Sequence, residues 1–308
     1  MKRREFLKTT AGASIAATSA MVFGNLNTLF ANGNALSDDN NYDLVAVMNG
    51  EPDVMFDQAI ESMGGIGRFV KKGNSVVVKP NIGWDVIPEK AANTNPVLIK
   101  RIVEQCYKAG AAEVYVFDYT CDEWTNCYKN SQIEGMAKEA GAKVVPGNFE
   151  KYYRHVEIPN GVSLKEAKVH ELILDSDVFI NVPVLKHHSS ADLSISMKNL
   201  MGIIWDRRYW HRNNLHQCIA DFTTWCKPTL NVIDAYRVMM KNGPRGVSEK
   251  DVVTYKTQIL STDIVAADAA AALVFGSDPE KVGYIKKAGD MGIGTYKLDD
   301  LNINRIKL

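Results

Sequence analysis

The chain has 308 residues, 46% of them hydrophobic and 23% charged, with 36 basic and 36 acidic side chains. That length and composition fit one large α/β domain, or two small ones, able to bury a substantial core. Without its first 34 residues the chain carries 32 basic and 35 acidic side chains, a net charge of −3. Such a body argues against nucleic acid as a partner, because affinity for phosphate backbones comes mostly from basic charge, and no run of like charges marks a tail.

The amino-terminal segment reads as an export signal. Lys2-Arg3-Arg4-Glu5-Phe6-Leu7-Lys8 is a basic start, and Thr9 to Phe23 is mildly apolar and rich in small residues. Cut sites are offered near Ala31 and at Gly33-Asn34-Ala35. The apolar stretch is about 15 residues, short of the roughly 20 needed to span a bilayer. Paired arginines before Phe6-Leu7 resemble the twin-arginine signal, with Lys2 where Ser or Thr is usual. The expectation is a leader over residues 1–35, a single α/β domain over 36–308, and a periplasmic or otherwise exported location. Its partner would be the twin-arginine export machinery, with membrane contact only through an uncleaved leader.

Strand and helix patterns then alternate. Asp43 to Met48 is a short apolar strand, and Pro52 opens a helix to about Met63 with Val54, Ile60 and Met63 among its apolar positions. Ser75 to Lys79 contains Val76-Val77-Val78, a β-branched run suited to a strand buried on both faces. Asn95-Pro96 opens a helix with Leu98, Ile99, Ile102, Val103 and Cys106 on one face, ending at Gly110. Glu113 to Asp118 is a strand, Ile133 to Ala140 a helix, and Lys143 to Val145 a strand. The βαβαβ order predicts a mainly parallel sheet with helices on both faces, in Rossmann-like layers.

Residues Tyr152 to Ile173 break the pattern and read as a small β-rich insertion. Asp177 to Val182 is the next strand, followed by a long polar loop and two helical stretches reaching Trp225. Leu230 to Asp234 and Thr257 to Leu260 are further strands, and Ile264 to Phe275 is an Ala-rich helix suited to close packing. Gly64-Gly65-Ile66-Gly67 follows a helix and precedes a strand. That is the reverse of the order a dinucleotide loop needs, so it is a helix stop.

In parallel sheets ligands bind beyond the carboxyl ends of strands. Those positions hold Lys79-Pro80-Asn81, Asp118, Asn181-Val182-Pro183 with Lys186-His187-His188, Asp234, and Ser261-Thr262-Asp263. Five polar ends predict one shared site. Lys79, Lys186 and Lys198 are candidate anion donors, with His188 and Lys186 as candidate catalytic groups. Asn81, Asn181, Asn199, Arg245 and Asp263 join Lys79 and Lys198 as candidate ligand contacts, and Asp234, Asp263 or Asp268 would offset the lysine charge. His187 and His188 are adjacent, and His211 and His216 are five apart, so neither pair has the usual metal spacing. A divalent metal held by one His with Asp221, Asp234 or Asp268 is the alternative, and structural histidines are the blander one. Gly243-Pro244-Arg245-Gly246 is either an ordinary turn or a clamp in which Arg245 holds a carboxylate or phosphate. Trp205, Tyr209, Trp210 and Trp225 either wall a pocket or pack between helices.

Five cysteines, Cys106, Cys121, Cys127, Cys218 and Cys226, give an odd count without CxxC spacing. Cys121 and Cys127 are close enough in sequence to pair in an oxidising compartment, with free or buried thiols the default.

Several stretches together resemble the domain-of-unknown-function 362 family. They are Val76 to Asn81, Thr94-Asn95-Pro96, Ile180 to His188, Lys198-Asn199-Leu200-Met201-Gly202, Asp234 with Gly243 to Gly246, and Asp263 to Asp268, in that order. The resemblance covers roughly Ser75 to Gly294 and implies a relative, not an activity. Some relatives carry ferredoxin-like Cys clusters; this chain has no CxxCxxC run, so an iron–sulfur centre does not carry over. Three readings follow: an exported enzyme acting on a small anionic ligand, a non-catalytic binding or cofactor-handling protein using the same cleft, and a redox partner.

Overall fold

The computed structural model describes Leu29, Phe30 and residues 42–308. The twin-arginine pair at Arg3-Arg4 lies outside the described residues. Strand β1 (Leu44–Met48) leads to helix α1 (Pro52–Ser62), β2 (Ser75–Pro80), α2 (Pro96–Lys108) and β3 (Glu113–Val116). Helices α3 (Trp124–Asn130) and α4 (Ile133–Glu139) precede β4 (Lys143–Val144). An antiparallel hairpin, β5 (Tyr153–Glu157) with β6 (Glu166–His170), forms the expected insertion. After α5 (Glu171–Asp175) come β7 (Val178–Val182), β8 (Val184–His188) and β9 (Asp192–Ser194). Helices α6 (Ser196–Asn199), α7 (Arg207–Arg212) and α8 (Leu215–Trp225) reach β10 (Leu230–Met239), β11 (Val252–Ser261), α9 (Ile264–Phe275), α10 (Gly283–Asp290) and β12 (Ile303–Lys307).

The main sheet runs β12-β1-β11-β10-β7-β2-β3-β4. It is mainly parallel, the exception along this path being β11, which is antiparallel to β1 and β10. The β-branched run places its side chains on both faces. Val77 joins the core formed with α8, α9 and α10, while Val76 and Val78 join the core formed with α1, α2 and α4. Helix α2 starts as its sequence predicts: the Asn95 side chain accepts from Val97 N at 3.0 Å, and Pro96 occupies the first turn. Its five predicted apolar residues are all buried. In α1 the buried stripe is Met55, Phe56, Ala59 and Ile60, and Val54 is exposed, contrary to expectation. Helix α9 is buried almost all round, which its alanines permit by bringing the helix close to its neighbours.

Pro183 shapes the site. It has no N–H to continue a ladder, so the chain pairs with β2 as β7 before it and turns as β8 to run beside β10 and pair with β9. This β8–β9 hairpin replaces the polar loop expected there. Strand β10 also continues past Asp234 to Met239. Helices α3 and α10 and strand β12 were not anticipated.

Leu29 and Phe30, inside the expected leader, are buried against the core face of α8 to α10, and Arg305 Nε donates to Leu29 O at 2.5 Å. The five cysteines are free thiols, with Cys121 exposed and the other four buried. Among the described residues no helix is long and apolar enough to cross a membrane.

Candidate functional site

The ends of β2 and β7 stand side by side, with Lys79 in register with Asn181 and Pro80 with Val182. Asn181 is in register with Asn231 on β10. Below the surface this row supports a chain of amides. Lys186 Nζ donates to Asn81 Oδ1 (2.8 Å), Asn81 Nδ2 to Asn199 Oδ1 (3.1 Å), Asn199 Nδ2 to Asn181 Oδ1 (2.9 Å), and Asn181 Nδ2 to Asn231 Oδ1 (3.0 Å). Each amide accepts on one side and donates on the other, so the buried polar groups are satisfied in one direction only.

Lys79 is fully buried beneath that chain. Its ammonium sits 2.8 Å from Asp118 Oδ1 and donates to Pro80 O (2.7 Å) and Asn199 Oδ1 (3.0 Å). Asp118 Oδ2 accepts from Ile82 N at 2.7 Å. Burial pulls the Lys79 ammonium below its usual pKa, and the Asp118 carboxylate opposes the shift. Gly202 closes the arrangement: a Cβ there would fall 1.8 Å from Asp118 Oδ1 and 2.6 Å from Lys79 Nζ. Only glycine lets the α6 segment approach the pair this closely.

Above this layer lies a cavity of about 350 Å³ whose wall includes Asn81, Cys121, Lys186, His188, Ser194 and Lys198, together with Arg207, Arg208 and His211. Among the described residues Asp118 is the one carboxylate on the wall, and it is engaged with Lys79. Lys186 is held by Asn81 Oδ1 and by Ala92 O, and burial lowers its pKa to about 7, with Lys198 and Lys79 adding to the shift. Lys198 is lowered to about 8, again by burial first and then by Arg207 and Lys79. Its ammonium has no hydrogen-bond or ion-pair partner among the described residues.

His188 is depressed to about 2 by burial and by the neighbouring Lys198 and Lys186, so it is a neutral imidazole. Its Nδ1 accepts from Ser190 N at 3.2 Å, which puts the proton on Nε2 and makes that atom a donor. Among the described residues Nε2 has no hydrogen-bond partner, and the ring stacks on His211 at 6.2 Å. The Ser194 hydroxyl, on a residue 8% exposed, is likewise free.

The structure therefore brings Lys186, Lys198, His188, Asn81 and Asn199 to one wall, with Lys79 and Asn181 supporting it from beneath. The expected carboxylate partners are elsewhere. Asp234 accepts from Asn95 N (2.8 Å) and Tyr236 N (3.0 Å), and Asp268 from Ser196 N (2.7 Å) and Met197 N (3.0 Å). Asp263 caps α9 through Val265 N and Ala266 N and holds Thr295 N. β11 runs antiparallel, so the residues after Ser261 leave toward the opposite edge of the sheet. None of the three lines the cavity. Asp268 instead positions the site, because it anchors the first turn of the segment carrying Lys198 and Asn199. Asp234 and Asp268 hold separate backbone segments. No group of three or more His, Cys, Asp or Glu among the described residues is placed to hold an ion.

Arg245 is exposed and pairs with Asp122 at 3.3 Å. Of the aromatic set, Trp210 and Trp225 pack on Phe222, while Trp205 stacks on Tyr119 beside a second cavity.

A family model described as "Domain of unknown function (DUF362)" matches residues 76–273. The chain belongs to the DUF362 family. The match spans the Lys79, Asn181, Lys186 and Lys198 segments and ends inside α9, so the DUF362 region holds the whole cavity wall. A thylakoid-associated protein of Synechocystis sp. is 23% identical over 232 residues, covering 72% of this chain and 70% of that protein. Among solved structures, the lactate racemase apoprotein of Thermoanaerobacterium thermosaccharolyticum is 12% identical with a TM-score of 0.44, and covers 72% of this chain. A structural-genomics crystal structure of a Thermotoga maritima protein is 12% identical with a TM-score of 0.47, and covers 79% of this chain. The matched part spans 55% of the first and 60% of the second.

Among the wall residues, Ser194, Arg207 and Arg208 escaped the sequence reading, and Cys121 and His211 were weighed only as a thiol and as a metal ligand. They lie on a loop, on the short β9 and on the short α7, where no periodicity marks them. Asp118 was visible as a strand-end residue, yet nothing in the sequence ties it to Lys79.

Proposed function

We propose that the cavity binds a small anionic molecule and carries out proton-transfer chemistry on it. One observation carries this reading. Lys198 presents an unpartnered ammonium to a cavity whose one carboxylate is already engaged. A desolvated cation without a partner costs free energy, which a bound anion offsets. Arg208, also unpartnered, would hold the anion's outer edge, and His188 Nε2 and the Ser194 hydroxyl would donate to it. Lys186, with a pKa of about 7, is the residue suited to giving and taking a proton near neutrality. Binding without chemistry is the second reading. It is favoured by the two protein acceptors, Asn81 Oδ1 and Ala92 O, that already occupy Lys186.

Thermal unfolding with phosphate or acetate tests the anion site, because a ligand of the native state raises Tm with concentration. The expected result is a shift in wild type that Lys186→Ala and Lys198→Met reduce or abolish. Equal shifts in all three proteins would overturn the reading.

We further propose that residues up to about Asn34 direct twin-arginine export. Replacing Arg3 and Arg4 by Lys should leave the precursor in the cytoplasm, and normal export of that variant would defeat the proposal. The mass of the exported chain would also show whether Leu29 and Phe30, which pack on the core, remain attached.

A further inference from the structure

Three lysines meet at this site, and their partners give them different chemistry. Lys79 is surrounded by a carboxylate and two oxygen acceptors and stays an ammonium. Lys186 donates to an amide oxygen and a backbone carbonyl, which occupies two of the three hydrogens of its ammonium and leaves one to transfer. Lys198 alone has no acceptor, stands on the cavity wall, and has cationic neighbours in Lys186, Lys79 and Arg207. An amine works as a nucleophile when its lone pair is free, reachable and not masked by a proton. Burial and nearby cations are the usual means of reaching that state.

The same wall carries two guanidinium groups. Arg207 and Arg208 both line the cavity. Arg207 is anchored through Tyr119 O (2.6 Å) and Thr120 O, with its guanidinium 4.2 Å from the Tyr119 ring centroid. Lys198 lies with His188 and Ser194 among the remaining wall residues. A carboxylate held by the arginines would keep the rest of a short molecule in the same cavity as the Lys198 amine.

We propose that Lys198 forms an imine with the carbonyl carbon of a small oxo acid. This deepens the anion-site reading and rests on it, by naming a carbonyl-bearing carboxylate as the ligand class. The neutral Lys198 amine adds to the carbonyl carbon, and the carbonyl oxygen takes up a proton as the carbinolamine forms. That hydroxyl accepts a second proton, leaves as water, and the C=N bond closes. The nitrogen loses one proton on addition, and the resulting iminium carries the positive charge. Lys186 is the group on the wall suited to relaying these protons. No oxidant or reductant is consumed.

Borohydride trapping tests the step. Full-chain protein is incubated with glyoxylate, pyruvate or 2-oxoglutarate, reduced with sodium borohydride, and mapped by peptide mass spectrometry. Lys198→Arg keeps the charge and cannot form an imine under these conditions. The expected result is a single reduced adduct on Lys198 with at least one of the three acids. In Lys198→Arg that adduct should be lost while the variant still unfolds cooperatively on heating. No adduct from any acid, an adduct on another lysine, or equal labelling of wild type and Lys198→Arg would overturn the proposal. If phosphate still stabilises wild type in that case, the anion site stands and the imine alone falls. If phosphate has no effect either, both fall.

Discussion

Lys79, bonded to the Asn199 side chain, and Lys198, next to Asn199 in the chain, show how one fold treats the same side chain in two ways. Lys79 is enclosed by Asp118, Pro80 O and Asn199 Oδ1, so its charge is built into the core. Lys198 is partly buried on the cavity wall and unpartnered. Burial alone does not distinguish a structural cation from a functional one. The content of the first shell does, because a buried charge is tolerated when it is paired and is costly when it is not.

The sharpest way to break this comparison is to remove the structural member. Lys79→Ala would leave Asp118 buried and uncompensated and deprive Asn199 of one of its two donors. The expected loss is about 3–5 kcal/mol of unfolding free energy, the usual cost of stripping one partner from a buried pair. Urea denaturation at neutral pH measures it. A loss below about 1 kcal/mol would mean that the pair is not the strut described here, or that the site relaxes freely around its removal.

The opposite sign is expected for Lys198→Met. The Lys198 pKa, lowered to about 8, lies below the 10.5 of an ordinary lysine. Between those values the unfolded chain binds more protons than the native protein, so this residue makes stability rise with pH across that window. Below about pH 8 wild type must bury the charged form, and the methionine variant need not. The variant should therefore be the more stable protein at pH 6–7, by about 1–2 kcal/mol after solvent screening. The gain should fade toward pH 10. Anion binding at the cavity should weaken over the same rise in pH, as Lys186 and Lys198 lose their protons. A variant less stable than wild type at pH 7 would place Lys198 with Lys79 among the structural cations.

How much of this was legible beforehand follows from the same contrast. The parallel β2–β7 pair announced itself through Val76 to Val78 and Val178 to Val182, because strands buried on both faces must be continuously apolar. Helix α2 announced itself through Asn95-Pro96 and its buried stripe. Strand β8 did not, since Lys186, His187 and His188 make it look like a loop. The burial of Lys186 and His188 depends on β10, the α6 segment and the Asn81 amide, all distant in sequence. The same limit misplaced the aspartates. Asp234 and Asp263 end or follow predicted strands and Asp268 lies near a predicted helix start, as site residues do, yet each spends its oxygens on backbone N–H groups. Local sequence gives the position of a carboxylate along the chain, but the choice between Asp118 and Asp268 as partner for a lysine is made by sheet order and by the direction of β11.

Arg245 gives the finest test. It was expected among the ligand contacts because Gly243 and Gly246 permit tight turns, and Gly243 does approach closely: a Cβ there would lie 1.9 Å from His187 O. The turn is thus needed to seat the chain against β8, and its Pro244 reaches the cavity wall. The guanidinium itself is 56% exposed and paired with Asp122 across 3.3 Å, too open to solvent for the pair to count heavily. Arg245→Ala should cost at most about 1 kcal/mol in stability, and should leave the anion-induced Tm shift nearly unchanged. A loss of that shift as large as that caused by Lys198→Met would extend the binding surface past Pro244 to Arg245. It would also mean that Arg245 exchanges Asp122 for the ligand, since a side chain held by a carboxylate on an open surface gives up little in changing partners.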